Sequence, residues 1–262
     1  MSPVRLRYAE EGRGEAVVLV HAIGCDMRMW DDLAPALAER WRVVRVDVRG
    51  HGASPVTPRP YSLSGLAGDV VGVLDRLSIE RAHWVGLSMG GMIGQAFALE
   101  HGDRLARLVL ANTTSSYGAD GRKMWETRAK AVEEGGMAAI TDLAMTRYFS
   151  DGFRARHADV VERVRQRFLE TNAQGYIGCC DAIRDLDFTG RLGEIRARTL
   201  LIAGEKDAGT PPAMSEEMAR RIPGARLAVI AGAAHLSAVE RPAEFGTLVR
   251  DFLSSLEPAN PT

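Results

Sequence analysis

Apolar residues along this chain fall first into short runs: Ala16 to Val20, Trp41 to Val48, Ala82 to Val85, Leu105 to Ala111, Thr199 to Ala203 and Arg226 to Ile230. Their length and β-branched content predict buried strands. Between them the period changes. After Tyr61, with Ser62 or Ser64 as cap, the residues Leu63, Leu66, Val70, Val73, Leu74 and Leu77 form one stripe and predict an amphipathic helix. Thr210-Pro211-Pro212 and Arg241-Pro242 start two later helices, since proline fits the first helical turn. Strands alternating with helices imply an α/β fold, a mainly parallel sheet with helices on both faces. From Tyr117 to Leu192 the alternation stops and helical patterns follow one another. The expected organisation is one core, residues 1–116 and 193–262, with a helical lid inserted at 117–192. Glu257 to Thr262 reads as a frayed tail.

Gly86-Leu87-Ser88-Met89-Gly90-Gly91 directly follows the third run and opens a helical stretch from Met92 to Leu99. With 27 glycines in 262 residues, the G-x-S-x-G spacing says little alone. Between a strand and a helix it reads as a nucleophile elbow, a tight turn that holds a serine away from its own backbone. It also puts the Met89 N–H at a helix N-terminus, where an oxyanion is stabilised.

A serine needs a base, and the base needs an acid to orient it. Asp207 follows the run ending at Gly204, and His235 follows the run ending at Ile230. Residues leaving the C-terminal ends of parallel strands gather at one sheet edge, so Ser88, Asp207 and His235 are expected to meet there. Glu205 and Asp187 are weaker candidates for the acid. The loop His21-Ala22-Ile23-Gly24 is expected to supply the second oxyanion donor through the Ile23 N–H. His21 is read as a brace for that loop, His51 as part of a turn, and Asp47 as that turn's anchor.

Composition narrows the partners. Lys and Arg number 33 against 34 Asp and Glu, a formal net charge of −1, which gives no footprint for nucleic acid or an anionic membrane. No signal-peptide pattern is read at Met1 to Arg7, and no apolar run approaches the roughly eighteen residues of a membrane span, so a cytoplasmic protein is expected. Three cysteines, two of them adjacent at 179 and 180, read as thiols, with Cys25 a buried small hydrophobe. No histidine or cysteine spacing suits a metal, and the elbow lacks a P-loop lysine, so no cofactor is inferred.

The chain closely resembles the α/β-hydrolase superfamily, and within it the 3-oxoadipate enol-lactonases. The resemblance rests on Gly24-Cys25-Asp26-Met27-Arg28-Met29-Trp30, on Asp47-Val48-Arg49-Gly50-His51-Gly52-Ala53-Ser54, on Gly86 to Gly91, on Leu110-Ala111-Asn112-Thr113 and on Ala234-His235-Leu236-Ser237. It implies a serine hydrolase that opens the lactone ring of 3-oxoadipate enol-lactone in aromatic-compound degradation, the β-ketoadipate pathway. The family's substrate-contacting Trp-x-x-Arg corresponds to Trp125-Glu126-Thr127-Arg128, which implies Trp125 over the ring and Arg128 on the substrate carboxylate of an anionic lactone. The alternative for this pair is packing within the lid and a solvated arginine. Ala22 stands where many relatives have glycine, Tyr148 lies within an Arg-Trp-Phe pattern, and Ala238 stands where asparagine is common; all three bear on substrate choice. A carboxylesterase of the same fold, or a non-catalytic ligand-binding protein, are the competing expectations.

Overall fold

The computed structural model describes residues 3–255, so the expected tail from Glu257 lies outside the described residues. Seven strands, β1 (Tyr8–Glu11), β2 (Ala16–Val20), β3 (Arg42–Val46), β4 (Ala82–Leu87), β5 (Leu105–Ala111), β6 (Arg198–Gly204) and β7 (Arg226–Ile230), form one sheet in the order β1-β3-β2-β4-β5-β6-β7. β1 runs antiparallel to β3 and every other pairing is parallel. β2 and β4 are buried along their whole length, as strands covered on both faces by crossover helices must be.

The two sheet edges depart from the sequence expectation. β1 carries no apolar run, because its Tyr-Ala-Glu-Glu sequence pairs through its backbone at an edge half open to solvent. β7 is not the buried strand expected: only Ile230 is buried and Val229 is 47 % exposed. It too is an edge strand, covered on fewer sides.

Helix α1 (Ala34–Ala38) packs with α11 (Pro242–Ser254), and α2 (Leu63–Arg76) with α3 (Met89–Glu100). The hydroxyl of Ser62, not Ser64, caps α2 by accepting the Gly65 N–H. Ser64 instead reaches Glu100. Within the expected apolar stripe lies one fully buried carboxylate, Asp69, which accepts two hydrogen bonds of 2.7 Å from Arg49 and a third from the Val4 N–H. The Arg49 guanidinium also sits 5.3 Å from the Tyr61 ring centroid.

Five helices separate β5 from β6: α4 (Gly118–Gly135), α5 (Ala138–Tyr148), α6 (Asp151–Arg156), α7 (Ala158–Glu170) and α8 (Ala173–Arg184). A bridge between Ser116 and Asp187 closes the base of this segment. The helices lie over the loops that leave β2, β3 and β7. Gly175 of α8 meets Gly50, and the Tyr148 carbonyl accepts the Leu236 N–H at 2.9 Å. Two short helices complete the core, α9 (Pro212–Arg221) after β6 and α10 (Ser237–Glu240) after β7.

Asp69→Ala leaves the buried Arg49 cation without its partner, so it is expected to lower the free energy of unfolding by about 3–5 kcal/mol. The urea midpoint checks this; a loss under about 1 kcal/mol would mean the pair is not the anchor its geometry describes.

Candidate active site

The turn at Ser88 is built by sterics. A Cβ on Gly86 would lie 2.1 Å from the Gly90 carbonyl oxygen, and one on Gly90 would lie 2.0 Å from that of Val20. Only glycine lets β4 turn into α3 this tightly. Ser88 itself is held at φ 56°, a region that L-residues avoid, at a cost of order 1–3 kcal/mol. The turn is tied down by the Ser88 N–H to Ala111 and by the Thr113 hydroxyl to the Ser88 carbonyl, both 2.8 Å.

His235 Nε2 lies 2.8 Å from Ser88 Oγ, and His235 Nδ1 lies 2.8 Å from Asp207 Oδ2. The three residues named from chain order therefore come together. Asp207 is the most heavily bonded of them. Its Oδ1 accepts the N–H groups of Gly209 (2.8 Å) and Thr210 (3.0 Å), and its Oδ2 accepts the Thr210 hydroxyl (2.7 Å) and the Asn112 amide (3.0 Å). Burial raises its pKa, but His235 and these hydrogen bonds outweigh that and hold the carboxyl at about 2. The other two carboxylates considered are engaged elsewhere, Glu205 on the Gly232 N–H and Asp187 on the Thr189 N–H.

The loop after β2 is held so that one N–H is left over. The Ala22 carbonyl accepts His21 Nδ1–H at 2.7 Å and the Cys25 N–H at 3.1 Å. In a trans peptide the N–H points opposite the carbonyl, so anchoring the Ala22 oxygen aims the Ile23 N–H the other way. Among the hydrogen bonds of the described residues, neither the Ile23 nor the Met89 N–H donates to a protein partner. The next peptide is clamped at both ends: the Tyr148 hydroxyl donates to the Ile23 carbonyl, and the Gly24 N–H donates to His51 Nε2 at 2.9 Å. Tyr148 also lies against His235, the ring centroids 5.8 Å apart and the planes 21° from parallel.

These bonds fix the protonation of both loop histidines. His21 accepts the Val48 N–H on Nε2 while donating from Nδ1, and His51 accepts on Nε2, so each ring is neutral. Burial lowers both pKa values, that of His51 to about 3, with the neighbouring His21 adding to its depression. The carboxylate of Asp47 accepts the N–H groups of Met27 and Ala53, both at 2.8 Å.

Over this edge, Arg128 is not a solvated helix residue. Its Nε donates to the Tyr176 hydroxyl at 2.5 Å, and its guanidinium carbon lies 5.5 Å from the Trp125 ring and 5.6 Å from the Tyr176 ring. Its Nη2 is buried and has no hydrogen-bond partner, and the same is true of Trp125 Nε1. Trp125 is therefore committed on one face to carrying the guanidinium and, edge-on, to Tyr117. Asn112, Thr210, Ser237 and Tyr148 have supporting contacts that the sequence reading did not assign. Each acts across a long separation in sequence or through its hydroxyl or amide alone. Only Asn112, φ 45° at the end of β5, carries a local signal.

A parallel α/β sheet with a serine elbow and a histidine and a carboxylate on later strand ends defines a class, the hydrolases built on this sheet. The chain matches the alpha/beta hydrolase fold family over residues 15–242 and belongs to it. It is 33 % identical to 3-oxoadipate enol-lactonase 2 of Acinetobacter baylyi over 94 % of this chain and 92 % of that one. Among solved structures it is similar to the enol-lactonase from Burkholderia xenovorans, with 36 % identity, TM-score 0.92 and coverage of 95 % and 96 %. It is similar also to a thermophilic esterase from Thermogutta terrifontis with malate bound, with 31 % identity, TM-score 0.91 and coverage of 95 % and 92 %. Among the described residues no helix is long and apolar enough to cross a membrane.

Because His51 is neutral when folded and protonates near pH 6.5 when unfolded, the unfolded chain binds more protons between about pH 3 and 6.5. Stability from this group is complete above pH 6.5 and lost on acidification. His51→Gln keeps an acceptor near the Gly24 N–H without a titrating group. It is expected to remove about 1.4 kcal/mol per pH unit from the slope of unfolding free energy between pH 6 and 4. An unchanged slope in urea titrations would show that His51 does not titrate with folding.

Proposed function

We propose that the protein is a serine hydrolase that opens the ring of a carboxylate-bearing enol-lactone, 3-oxoadipate enol-lactone, through an acyl-enzyme. The observation that carries the reading is the Ser88–His235–Asp207 relay, together with an arginine in the helices that cover it whose buried Nη2 has no partner. His235 Nε2 takes the Ser88 proton as Oγ adds to the lactone carbonyl. Asp207, ionised at any pH well above 2, fixes the imidazole tautomer and stabilises its cation. The tetrahedral oxyanion is held by the N–H groups of Ile23 and Met89, the second at the N-terminus of α3.

Collapse breaks the ring C–O bond, and the leaving oxygen departs as an enolate still tethered to the acyl group. His235 gives it the proton taken from Ser88, and the resulting enol tautomerises to the ketone, which removes the nucleophile that would close the ring again. Water then adds to the acyl-enzyme, giving its proton to His235, and the C–O bond to Ser88 breaks as His235 returns the proton to Oγ. The product is 3-oxoadipate. Arg128 Nη2 pairs with the substrate carboxylate, and Trp125 Nε1–H, one helical turn earlier on the same face, is a second donor. In this reading residues 117–192 act as the lid. The enol-lactonase relatives support the substrate, and the buried, unpaired cysteines fit a reducing, cytoplasmic setting. The similarity to an esterase supports one further reading, a carboxylesterase of identical chemistry and different substrate.

Ser88→Ala and His235→Ala are each expected to lower kcat/KM on the enol-lactone by about four orders of magnitude or more, with folding preserved by circular dichroism. Near-native turnover in either variant would remove the relay. Arg128→Ala is expected to cost about 30- to 100-fold on the anionic lactone, the worth of charge-assisted hydrogen bonds, and under about threefold on a small neutral ester. An equal loss on both substrates would favour the carboxylesterase.

A further inference from the structure

Ser88 and His235 are only 4 % and 7 % exposed, so substrate needs a way through the helices above them. On α4 the residues Asp120, Lys123, Thr127 and Arg128 share one face, and with the exposed Leu143 and Arg147 of α5 they enclose a groove of about 450 Å³. Its floor is apolar, with Met124 and Ile140, and Leu143 at its rim is 53 % exposed. Three cations face it against one carboxylate, and among the described residues neither Lys123 nor Arg147 has an acidic partner. Arg147 has only the Met124 sulfur, at 4.0 Å. The volume suits a small molecule rather than a peptide.

From the inner wall of the groove two relays of side chains lead toward the reacting groups, Tyr176 and His51 behind Arg128 and Tyr148 beside Arg147. Behind Arg128 stands Tyr176, whose ring lies 6.3 Å from that of His51, the residue clamping the Gly24 N–H. The backbone neighbour of Arg147 is Tyr148, stacked on His235 and bonded to the Ile23 carbonyl. We propose that the α4–α5 groove is the entrance to the active site for a small carboxylate-bearing ester or lactone. Lys123 and Arg147 draw in the anion at the mouth and Arg128 receives it at the inner end. The apolar floor takes the carbon skeleton. This rests on the reading of the substrate as a carboxylate.

Two chromogenic esters test it, the anionic 4-nitrophenyl hydrogen glutarate and the neutral 4-nitrophenyl butyrate. Leu143→Trp and, from the facing helix, Thr127→Trp narrow the groove at exposed positions, and each is expected to lower kcat/KM for both esters about tenfold. The double variant Lys123→Gln, Arg147→Gln is expected to lower kcat/KM for the anionic ester about three- to tenfold at low ionic strength. That difference shrinks in 0.5 M salt (about 4 Å Debye length), and the neutral ester changes less than twofold. If both tryptophan variants keep full activity on both esters, the groove is not the entrance, whatever the substrate. If they block but the double variant affects both esters alike, the entrance stands and its selection for anions is overturned. If the wild type hydrolyses the neutral ester alone and the tryptophan variants slow it, the groove remains the way in. In that case the carboxylate reading of the substrate falls.

Discussion

A buried carboxylate paired with an imidazole, with no arginine or lysine among the described residues bonded to it, organises the edge of the sheet that holds Ser88. Asp207 accepts five hydrogen bonds, two from backbone N–H groups of its own turn and three from side chains, those of Asn112 just after β5, Thr210 ahead of α9 and His235 in the loop after β7. An ionised carboxylate left short of donors at this depth would protonate or destabilise the fold. Meeting that demand fixes the positions of Asn112, Thr210 and His235 together. The constraint then travels one step outward: the amide oxygen of Asn112 accepts the Ser237 hydroxyl, and its nitrogen reaches the Ala234 carbonyl. The loop carrying His235 is thus held on both sides of the imidazole, and its distance to Ser88 follows from the satisfaction of Asp207.

The same logic, with the signs reversed, governs the loop after β2. There the two buried imidazoles are neutral. Two imidazoles whose centroids lie 5.4 Å apart cannot both be charged in this setting, and both are fixed as neutral by the peptide groups they bridge. The result is a loop braced by two uncharged rings, which leaves a free Ile23 N–H facing away from its own anchors. Tyr148 connects this loop to His235, so the two halves of the site share one aromatic side chain contributed by the helical segment.

How much of this the chain itself discloses depends on the range of the interaction. The inner strands, the elbow and the stripe of α2 are local patterns, set by period and by glycine sterics, and they read directly from the sequence. So do Ser88, Asp207 and His235, because strand-end residues of a parallel sheet converge whatever the loops do. Edge strands read poorly. β1 lacks the apolar run because an edge needs only backbone pairing, and β7 looks like a core strand although one side faces water. The contacts of Asn112, Thr210 and Ser237 are illegible for a different reason: a hydroxyl or amide supporting a charge 95 residues away, as Asn112 does, leaves no periodic trace. Trp125 and Arg128 carry only helical spacing in the sequence. Their burial, and the unpartnered nitrogen of each, belong to the packing of α4 on α8.

Arg128, half-buried with one buried nitrogen, and the fully buried Asp207 therefore pose opposite problems. The anion has every donor it needs and is a fixed part of the fold. The cation rests on the faces of Trp125 and Tyr176, which offset part of its desolvation through their π systems, while one of its nitrogens goes without an acceptor. A buried donor in that state costs about 1–3 kcal/mol, more when it is charged. A bound carboxylate recovers that cost along with its own pairing energy, and an uncharged ligand recovers little of it. In the proposed reading, discrimination between anionic and neutral substrates is thereby stored in the free protein as an incomplete hydrogen-bond set. The chemistry proposed for Ser88, whose turn is held by its own hydrogen bonds, needs no change to accompany a change of substrate.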